Sequence, residues 1–366
     1  MIHERGEKRD FIPSLFKYLQ KYNGIEIFLE NTYGEGVGYT HEDYLKKNPH
    51  IKFVNHVEAL EKDIVIVLKA PMENELKLMK KGSALFSMLH YDTRTTRNEL
   101  LLAHDIKAFS MDSIEDDDNN RMVVNYYGTS RAGTKVAFYE FKKRFENFSL
   151  VSRKPLMATI IGMGGVGLNS AKAFEEFSDK EFLDSNVSGV IIRMLPRSIT
   201  KDLDGLKEIL KDTDILVDAS KRLDTSKPIL PNNLILALPD HAIILDLSAD
   251  PYNTQISPKQ VKGIEGIPTG NLEKYIIEIN DKLYDSVPHG INSENRRVVV
   301  SCNAWPGVDP VNSMMTYEKQ LRNFLKILVE KDLNSLSIDS EDLFERALVR
   351  SSLNYYMKSK SSLVEV

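Results

Sequence analysis

A glycine-rich hexapeptide, Gly162 to Gly167, is the segment whose residue types and spacing could most directly do chemistry. It follows the apolar run 157–161 and precedes a helical pattern that begins at about Leu168. In a G-x-G-x-x-G turn between a strand and a helix, the glycines permit a tight turn, close backbone approach to a pyrophosphate and close helix packing. The N–H groups at the helix N-terminus attract the anion. We therefore predict a dinucleotide site formed by Gly162, Gly164, Gly165, Val166 and Gly167.

A glycine turn without any ligand is the alternative to that site. The next predicted strand, Val190 to Leu195, bears on which dinucleotide binds, because NAD folds usually place Asp or Glu near its end, on the ribose 2′-hydroxyl. This chain has Arg193 and Arg197 there, and arginine suits the 2′-phosphate of NADP. We expect NADP to bind at least as well as NAD, against the equal alternative that Arg197 is merely exposed. Ser220, in the loop after strand 214–218, completes the predicted cofactor residues.

Two titratable side chains follow successive apolar runs in the first third of the chain. Lys69 follows run 63–68, and His90 follows run 84–89. Ligands of parallel sheets bind outside the carboxyl ends of the strands, so both side chains are expected to face one crevice. There a lysine can hold and polarise a carbonyl or imine, and a histidine can move the proton that accompanies hydride transfer. A solvated lysine and a hydrogen-bonded loop histidine are the alternatives, and each would be preferred for either residue taken alone.

Two further charged residues occupy comparable places. Asp250 follows the predicted strand 242–247, again on the carboxyl side. Arg9 precedes the first predicted helix, 13–22, where its guanidinium could hold a substrate carboxylate with two hydrogen bonds. A surface charge is the alternative for Arg9, and Lys8 is a rival for the same role.

Bulk composition excludes several classes of protein. The 366 residues are 42% hydrophobic and 28% charged, and a net charge of -5 gives no case for nucleic-acid binding. No apolar run is long enough for a membrane helix, and the charged opening residues lack the apolar core of a signal peptide. The lone Cys302 allows no intrachain disulfide and no cysteine-based zinc site, so no metal is expected. We expect a cytoplasmic protein that acts on small molecules and has no nucleic-acid or membrane partner.

The elements that position these residues alternate between strand and helix, which predicts an α/β fold with parallel sheets. A long helix, 129–144, with Thr129 and Ser130 as possible caps, is expected to bridge two domains. The amphipathic helix 317–331 suggests that the chain then returns to the first domain. We predict a substrate or catalytic domain from residues 1–130 and 312–366, and a dinucleotide-binding domain from residues 131–311.

Longer tracts resemble the alanine dehydrogenase and pyridine nucleotide transhydrogenase N-terminal superfamily, which includes lysine-forming saccharopine dehydrogenase. The strongest similarities are GVGYTHEDYLKK (36–47), IVLKAPMENELKLMKKGSALFSMLHY (66–91) and IIGMGGVG (160–167). NRMVVNYYGTSRAG (120–133) and LDLSADPYN (245–253) look more like saccharopine dehydrogenase. CNAWPGVDPVNS (302–313) is similar to an N-x-P-G-x-x-P stretch of alanine dehydrogenases, with one extra residue.

This resemblance implies two Rossmann-like, doubly wound domains with the active-site cleft between them. It also implies that Lys69 and His90 are the catalytic pair, that Arg9 binds the substrate carboxylate, and that Asp250 lies beside the nicotinamide. Asn303 would line the same cleft. The sequence departs from the family at Ala70, where a glutamate is usual, and in the missing acidic ribose ligand. These departures concern the substrate and the cofactor more than the fold.

The resemblance predicts an NAD(P)-dependent oxidoreductase that acts on a C–N bond. Because of the tracts at 120–133 and 245–253, we favour interconversion of a secondary amine, of the opine or saccharopine type, with a 2-oxo acid and an amino acid. Simple alanine dehydrogenase is the second hypothesis, and a non-enzymatic nucleotide- or ketimine-binding protein is the third. A binding module would need no proton-transfer pair, which argues against the third. A homo-oligomer is possible.

Overall fold

The computed structural model describes residues 6–222 and 224–364. The chain divides into two compact units, of which unit 1 is Met1–Asn125 with Pro310–Val366 and unit 2 is Tyr126–Asp309. The sequence prediction divided the chain after residues 130 and 311. None of the helices in the described part of the chain has both the length and the hydropathy needed to cross a membrane.

The first stretch of unit 1 alternates short parallel strands with short helices. Its strands are β1 Phe28–Glu30, β2 Lys52–Val54, β3 Ile64–Lys69, β4 Ala84–Met88 and β5 Lys107–Ser110. Its helices are α1 Pro13–Leu19, α2 His41–Leu45, α3 His56–Leu60, α4 Glu73–Leu76 and α5 Thr95–Ala103. β1 pairs with β2, and β3, β4 and β5 form a second parallel sheet in that order. The apolar runs predicted as buried strands thus form β3 and β4, both within two residues of the predicted ends.

Local hydrogen bonds explain where α2 begins and where α4 ends. Thr40 and Asp43 form a capping box, because each side chain accepts a hydrogen bond from the other's backbone N–H. Helix α4 ends at Leu76, and the chain continues in three-residue turns such as the hydrogen bond from Met79 N to Leu76 O.

Unit 2 contains one six-stranded sheet flanked by helices. Its strands are β6 Leu156–Ile161, β7 Val190–Leu195, β8 Ile215–Asp218, β9 Ile243–Asp246, β10 Ile276–Ile277 and β11 Val298–Ser301. Its helices are α6 Tyr126–Arg144, α7 Gly165–Phe182, α8 Arg197–Thr200 and α9 Leu203–Leu210. The strand order is β10-β11-β9-β8-β6-β7, parallel throughout except for β10, which runs antiparallel to β11. Chain order reverses at β6, because β7 lies on one side of it and β8 on the other.

Both faces of this sheet are buried, as expected for strands that read as continuous apolar runs. Ile160 and Val217 face a cluster that includes Phe138 and Phe174 of α6 and α7. The alternate residues, such as Leu216, face a second cluster with helix α9. This layering is that of a doubly wound α/β sheet, whose ligand crevice lies where the strand order reverses.

The helix boundaries differ from the prediction at two places in unit 2. α6 begins at Tyr126, so Thr129 and Ser130 lie inside the helix and the prediction that they cap it was wrong. The Ser130 hydroxyl instead donates to the carbonyl oxygen of Val166. α7 begins at Gly165, so Val166 and Gly167 belong to its first turn rather than to the loop before it.

The chain then returns to unit 1. This segment forms α10 Pro310–Glu330, α11 Leu343–Arg350 and α12 Leu353–Val364. Pro310 is the first residue of α10, a position that proline favours because its missing N–H needs no partner there. Leu321, Phe324 and Leu325 of α10 join the core that includes Phe11 and Phe16.

Candidate functional site

The turn between β6 and α7 has the backbone that its glycines predict. Gly162 has φ 108°, and a Cβ there would lie 2.5 Å from the carbonyl oxygen of Ala219, at the end of β8. A Cβ on Gly167 would collide with the carbonyl oxygen of Gly162. Gly162 and Gly167 are therefore needed for the fold, because any side chain at either position displaces backbone.

Gly164 has a different role, because a Cβ there would meet nothing within 4 Å. It is the N-cap of the eighteen-residue helix α7, so the N–H groups of the first helical turn are available at an open surface. A Cβ on the next residue, Gly165, would lie 2.8 Å from the Tyr126 ring. The turn thus fits a pyrophosphate, with open space at Gly164 and an aromatic side at Gly165.

The two arginines predicted to hold a 2′-phosphate differ in their surroundings. The Arg193 Nη2 donates to Thr213 Oγ1, Asp212 Oδ1 and the carbonyl oxygen of Ile209, all near the amino end of β8. The glycine turn lies at the carboxyl ends of the strands. Arg193 is therefore engaged within the fold, and the expectation that it binds the cofactor is withdrawn.

Arg197 lies at the carboxyl end of β7, where the prediction placed it. It is exposed, and its Nη2 donates to the carbonyl oxygen of Lys221 over 2.8 Å. Ser220, the residue before Lys221, donates its backbone N–H to Asp218 Oδ1 over 3.1 Å. Both predicted residues thus lie in segments that follow β7 and β8, the two neighbours of β6.

Asp250 is held by a partner that the sequence analysis missed. Its Oδ2 lies 2.6 Å from Arg222 Nη2, and the Arg222 side chain is buried. Arg222 also donates to the carbonyl oxygens of Val261 and Lys227, so it anchors three segments of the loop region. Asp250 is therefore an ion-paired carboxylate in this unit. Asn303 is exposed after β11, with its backbone N–H on the carbonyl oxygen of Gly270.

A buried group of charges lies beneath these loops. Lys262 Nζ lies 2.7 Å from Asp246 Oδ2, and both side chains are 1% exposed. Burial raises the pKa of Asp246, but the Lys262 ammonium outweighs it and holds the pKa below its usual range. Burial and the charge of Asp246 raise the pKa of neighbouring Asp218 to about 6. The Ser248 hydroxyl contacts both carboxylates, at 3.1 Å from Asp246 and 3.4 Å from Asp218.

In unit 1, three successive parallel strands end beside titratable side chains. Lys69 is the last residue of β3, His90 follows β4, and Asp112 follows β5. His90 Nδ1 lies 3.0 Å from Asp112 Oδ2, and the histidine side chain is 45% exposed. Because Nδ1 faces a carboxylate, the proton of the neutral ring belongs on Nδ1, and Nε2 is left to accept or donate one.

Hydrogen bonds from Asp112 hold the turn that carries His90 in place. His90 has φ 50°, a left-handed conformation that a non-glycine residue adopts only when its surroundings impose it. Asp112 Oδ1 accepts the backbone N–H of Leu89 at 2.9 Å and the Ser110 hydroxyl at 2.7 Å. Burial raises the pKa of Asp112, yet the hydrogen bonds and charge of His90, with that of Ser110, hold it well below its usual range. Asp112 thus stays ionised and fixes the ring.

Arg9 is buried rather than exposed to a ligand. Its Nε and Nη2 donate to the two carboxylate oxygens of Glu7 at 2.8 and 2.5 Å. Burial raises the pKa of Glu7, but Arg9 and the more distant charge of Lys69 lower it overall. The expected carboxylate clamp is therefore already paired within the chain, and Lys8, which is exposed, remains the rival for that role.

Three residues of these sites were missed: Asp112, Glu7 and Arg222. Asp112 occupies the same kind of position as Lys69 and His90, because it follows the neighbouring parallel strand β5, and this position was a usable signal. Glu7 and Arg222 gave no such signal, because each is recognised only by its ion pair with a predicted residue. Among the described residues, no group of three or more His, Cys, Asp or Glu side chains is arranged to hold a metal.

Comparisons with known proteins identify the first part of the chain. The model of the family described as alanine dehydrogenase/PNT, N-terminal domain, matches residues 4–127. Residues 4–127 are therefore similar to this family. The predicted resemblance to the alanine dehydrogenase and transhydrogenase superfamily is thereby confirmed, whereas the leaning toward saccharopine dehydrogenase stays a prediction.

Individual relatives extend the similarity beyond residue 127, at 20–24% identity. An alanine dehydrogenase of Staphylococcus epidermidis is 24% identical over 242 residues, which are 62% of this chain and 65% of that protein. The chain thus spans just under two thirds of that relative. Alanine dehydrogenase 1 of Staphylococcus aureus is 20% identical over 345 residues, covering 87% of this chain and 84% of that protein.

Solved structures confirm the fold. An L-alanine dehydrogenase superposes with a TM-score of 0.70 at 18% identity, covering 96% of this chain and 92% of that chain. A transhydrogenase from Sinorhizobium meliloti superposes with a TM-score of 0.63 at 12% identity, covering 90% of this chain and 92% of that chain. The predicted α/β fold with two Rossmann-like domains is therefore correct.

Proposed function

We propose that this chain is an NAD(P)-dependent oxidoreductase that interconverts an amino acid and a 2-oxo acid at the C–N bond. The observation that carries the proposal is the His90–Asp112 pair in unit 1, at 3.0 Å, with an accessible imidazole on a braced turn. The family of residues 4–127 and the alanine dehydrogenase names of the relatives support the same reaction class. A binding module would have no use for a histidine held in one orientation by a buried carboxylate.

The glycine turn of unit 2 is the proposed dinucleotide site. The first-turn N–H groups of α7 would hold the pyrophosphate at Gly164, where the backbone is open. A bound nicotinamide would accept the hydride in the oxidative direction and supply it in the reverse direction. The chain's own residues would bind the dinucleotide, orient the substrate and transfer the protons.

In the oxidative direction, one amino acid, one water and the oxidised dinucleotide give one 2-oxo acid, one ammonium ion, the reduced dinucleotide and one proton. Loss of hydride from Cα and of a proton from nitrogen forms an imine, and water then adds to the imine carbon. His90 Nε2 takes the proton from that water and returns it to the nitrogen, which leaves as ammonia when the C–N bond breaks, while Asp112 stabilises the imidazolium formed in between. Lys69, at the end of the neighbouring strand β3, holds and polarises the carbonyl oxygen that forms.

Recognition of the substrate carboxylate is assigned to the cationic residues of unit 1. Arg9 forms an ion pair with Glu7, so its guanidinium contributes positive electrostatic potential to the site rather than binding the substrate carboxylate directly. Burial raises the pKa of Tyr317, and the positive charges of Arg9 and Arg121 oppose that rise. Arg121 is exposed, and with Lys8 it is the candidate to bind a carboxylate directly.

Ammonia is the proposed amine of the reductive direction, because the relatives are named alanine dehydrogenases. A second candidate is a secondary amine formed from an amino acid and a 2-oxo acid. The tracts at 120–133 and 245–253 favour it, and the exposed Arg121 of the first tract could bind an additional carboxylate. Asp250 and Asn303 stay proposed site residues, with Asp250 oriented by Arg222. A cytoplasmic location and a homo-oligomer also stay predictions.

The deciding experiment is a substrate screen that follows the absorbance of the reduced nicotinamide. Pyruvate or 2-oxoglutarate is offered first with ammonium and then with lysine or ornithine. Ammonium-dependent turnover is expected, and turnover only with the amino acids would select the secondary-amine candidate. His90→Asn should abolish most of the rate, whereas His50→Asn, at an exposed histidine of the same unit, should not. A folded protein that binds dinucleotide but turns over no oxo acid and amine would contradict the proposal.

A further inference from the structure

The end of β7 lacks the group that selects NAD in this kind of fold. A carboxylate at this point accepts a hydrogen bond from the ribose 2′-hydroxyl and repels a 2′-phosphate. No acidic residue occurs from Val190 to Lys201. The first one, Asp202, caps helix α9 by accepting the backbone N–H of Gly205. Nothing in this segment therefore disfavours an additional phosphate on the ribose.

The Arg197 side chain extends from this edge across the sheet end. It begins at the carboxyl end of β7 and donates to the carbonyl oxygen of Lys221, three residues beyond β8. Since β6 lies between β7 and β8, the guanidinium spans the end of β6, where the glycine turn begins. The Arg197 guanidinium makes no other hydrogen bond or ion pair within residues 6–222 and 224–364, so its remaining N–H groups are available.

Three exposed cations lie in the segments that follow β7 and β8. Arg197 and Lys201 follow β7, and Lys221 follows β8, all with exposed side chains. Arg222, the next residue, is committed to Asp250, and Arg193 is committed to Asp212 and Thr213. Arg197 and Lys221 thus place positive charge in the segments on either side of β6, the strand that leads to the glycine turn.

We propose that Arg197 and Lys221 form a subsite for a phosphate monoester on the adenosine ribose, so that the chain binds NADP(H) in preference to NAD(H). The inference rests on the proposed dinucleotide site at Gly162–Gly167 and names the residues that select between the two cofactors. The planar guanidinium offers two parallel donors to phosphate oxygens, and the lysine adds a mobile point charge. Lys221 thus takes the role predicted for Arg193, which was to bind the 2′-phosphate together with Arg197.

Arg197 also ties two loops together, so a substitution must separate charge from structure. Arg197→Gln retains an N–H donor for the Lys221 carbonyl but removes the charge. Lys221→Met retains the backbone carbonyl and removes only the ammonium. Lys207→Met, at an exposed cation on α9, is the matched control for a general loss of positive charge.

The test measures NADPH and NADH affinities of the full chain by titration calorimetry. The unaltered chain should prefer NADPH by roughly tenfold or more, the effect of one charge-assisted contact. Arg197→Gln should weaken NADPH binding roughly tenfold and change NADH binding by less than about twofold. Lys221→Met should have a smaller effect of the same kind, and Lys207→Met none. Salt should weaken NADPH binding more steeply than NADH binding, because the contact is exposed.

Competition by mononucleotides isolates the subsite. Adenosine 2′,5′-bisphosphate should displace the dinucleotide more effectively than 5′-AMP from the unaltered chain, and the difference should vanish in Arg197→Gln. Equal or tighter NADH binding by the unaltered chain would overturn the subsite and leave the proposed function standing. Binding of neither dinucleotide would overturn both. Parallel losses of NADPH and NADH affinity in Arg197→Gln would show that Arg197 acts only on the loops.

Discussion

Each unit pairs a carboxylate at a strand end with a nitrogen base, but in opposite environments. In unit 1, Asp112 faces His90, whose side chain is 45% exposed. In unit 2, Asp246 faces Lys262, and both side chains are 1% exposed. An accessible base held by a buried acid can exchange protons with a substrate, whereas a fully buried pair has no such access. The first pair is therefore suited to chemistry and the second to holding the loops around Asp250.

The buried pair is expected to give the largest effect. Lys262→Met leaves the Asp246 carboxylate buried with only hydroxyl and backbone donors, such as Ser301 Oγ and the N–H of Ala249. Removing one partner of a buried ion pair typically costs about 3–5 kcal/mol of unfolding free energy. Urea denaturation of the full chain measures it.

Two further variants test whether the loss of stability comes from a buried charge left without its partner. Lys262→Met with Asp246→Leu should recover part of the stability, because no isolated charge remains. Lys46→Met breaks the exposed Lys46–Glu42 pair and should change stability little. A Lys262→Met protein as stable as the unaltered chain would show that the Asp246–Lys262 pair does not stabilise unit 2.

The glycine turn gives the next effect and separates binding from folding. Gly164→Val places a branched side chain in open space where the pyrophosphate is proposed to bind, so the fold should survive while dinucleotide affinity falls by roughly 100-fold or more, about 2.7 kcal/mol. Calorimetry gives the affinity, and the midpoint of urea unfolding shows whether the fold survives.

Unit 1 supplies the control for this variant. The Nδ1 environment of His90, followed by histidine NMR, should be unchanged in Gly164→Val. Unaltered affinity in a folded Gly164→Val protein would place the dinucleotide elsewhere.

The accessible pair should affect turnover rather than stability. His90→Ala removes the group proposed to move the proton, and turnover should fall roughly 100-fold, the usual scale for a lost general acid or base. Asp112→Asn should lower turnover as well, by removing the charge that stabilises the imidazolium. Dinucleotide binding should survive both changes. Near-normal rates in both variants would mean that the chemistry lies outside this pair.

The sequence predicted these sites unevenly, for a physical reason. Strands β3, β4, β6 and β9 are short apolar runs, so their ends could be placed within two residues, and Lys69, His90 and Asp250 with them. Ion pairs such as Arg9–Glu7 and Arg222–Asp250 depend on where side chains point, which residue spacing does not determine. Arg193 illustrates the same limit. Its strand position was predicted, but its direction toward Asp212 was not.

The smallest expected effect is the pH dependence of stability that comes from Asp218, the carboxylate beside the buried Asp246–Lys262 pair. Burial and the charge of Asp246 raise its pKa to about 6 from an ordinary value of 3.8. Between these values the folded chain binds more protons than the unfolded chain, so this contribution to stability is complete below 3.8 and is lost as pH rises through 6. Asp112 behaves in the opposite sense, since its lowered pKa gives stability that is lost only as pH falls.

Asp218→Asn, which retains an acceptor for the Ser220 N–H, should be more stable than the unaltered chain by on the order of 2 kcal/mol at neutral pH and equal to it at acidic pH. Urea unfolding of both proteins across this pH range gives the difference in stability, because the other titrating groups contribute equally to both proteins and cancel. A difference that does not vary with pH would show that Asp218 is ionised throughout and that the buried cluster of unit 2 tolerates a further charge.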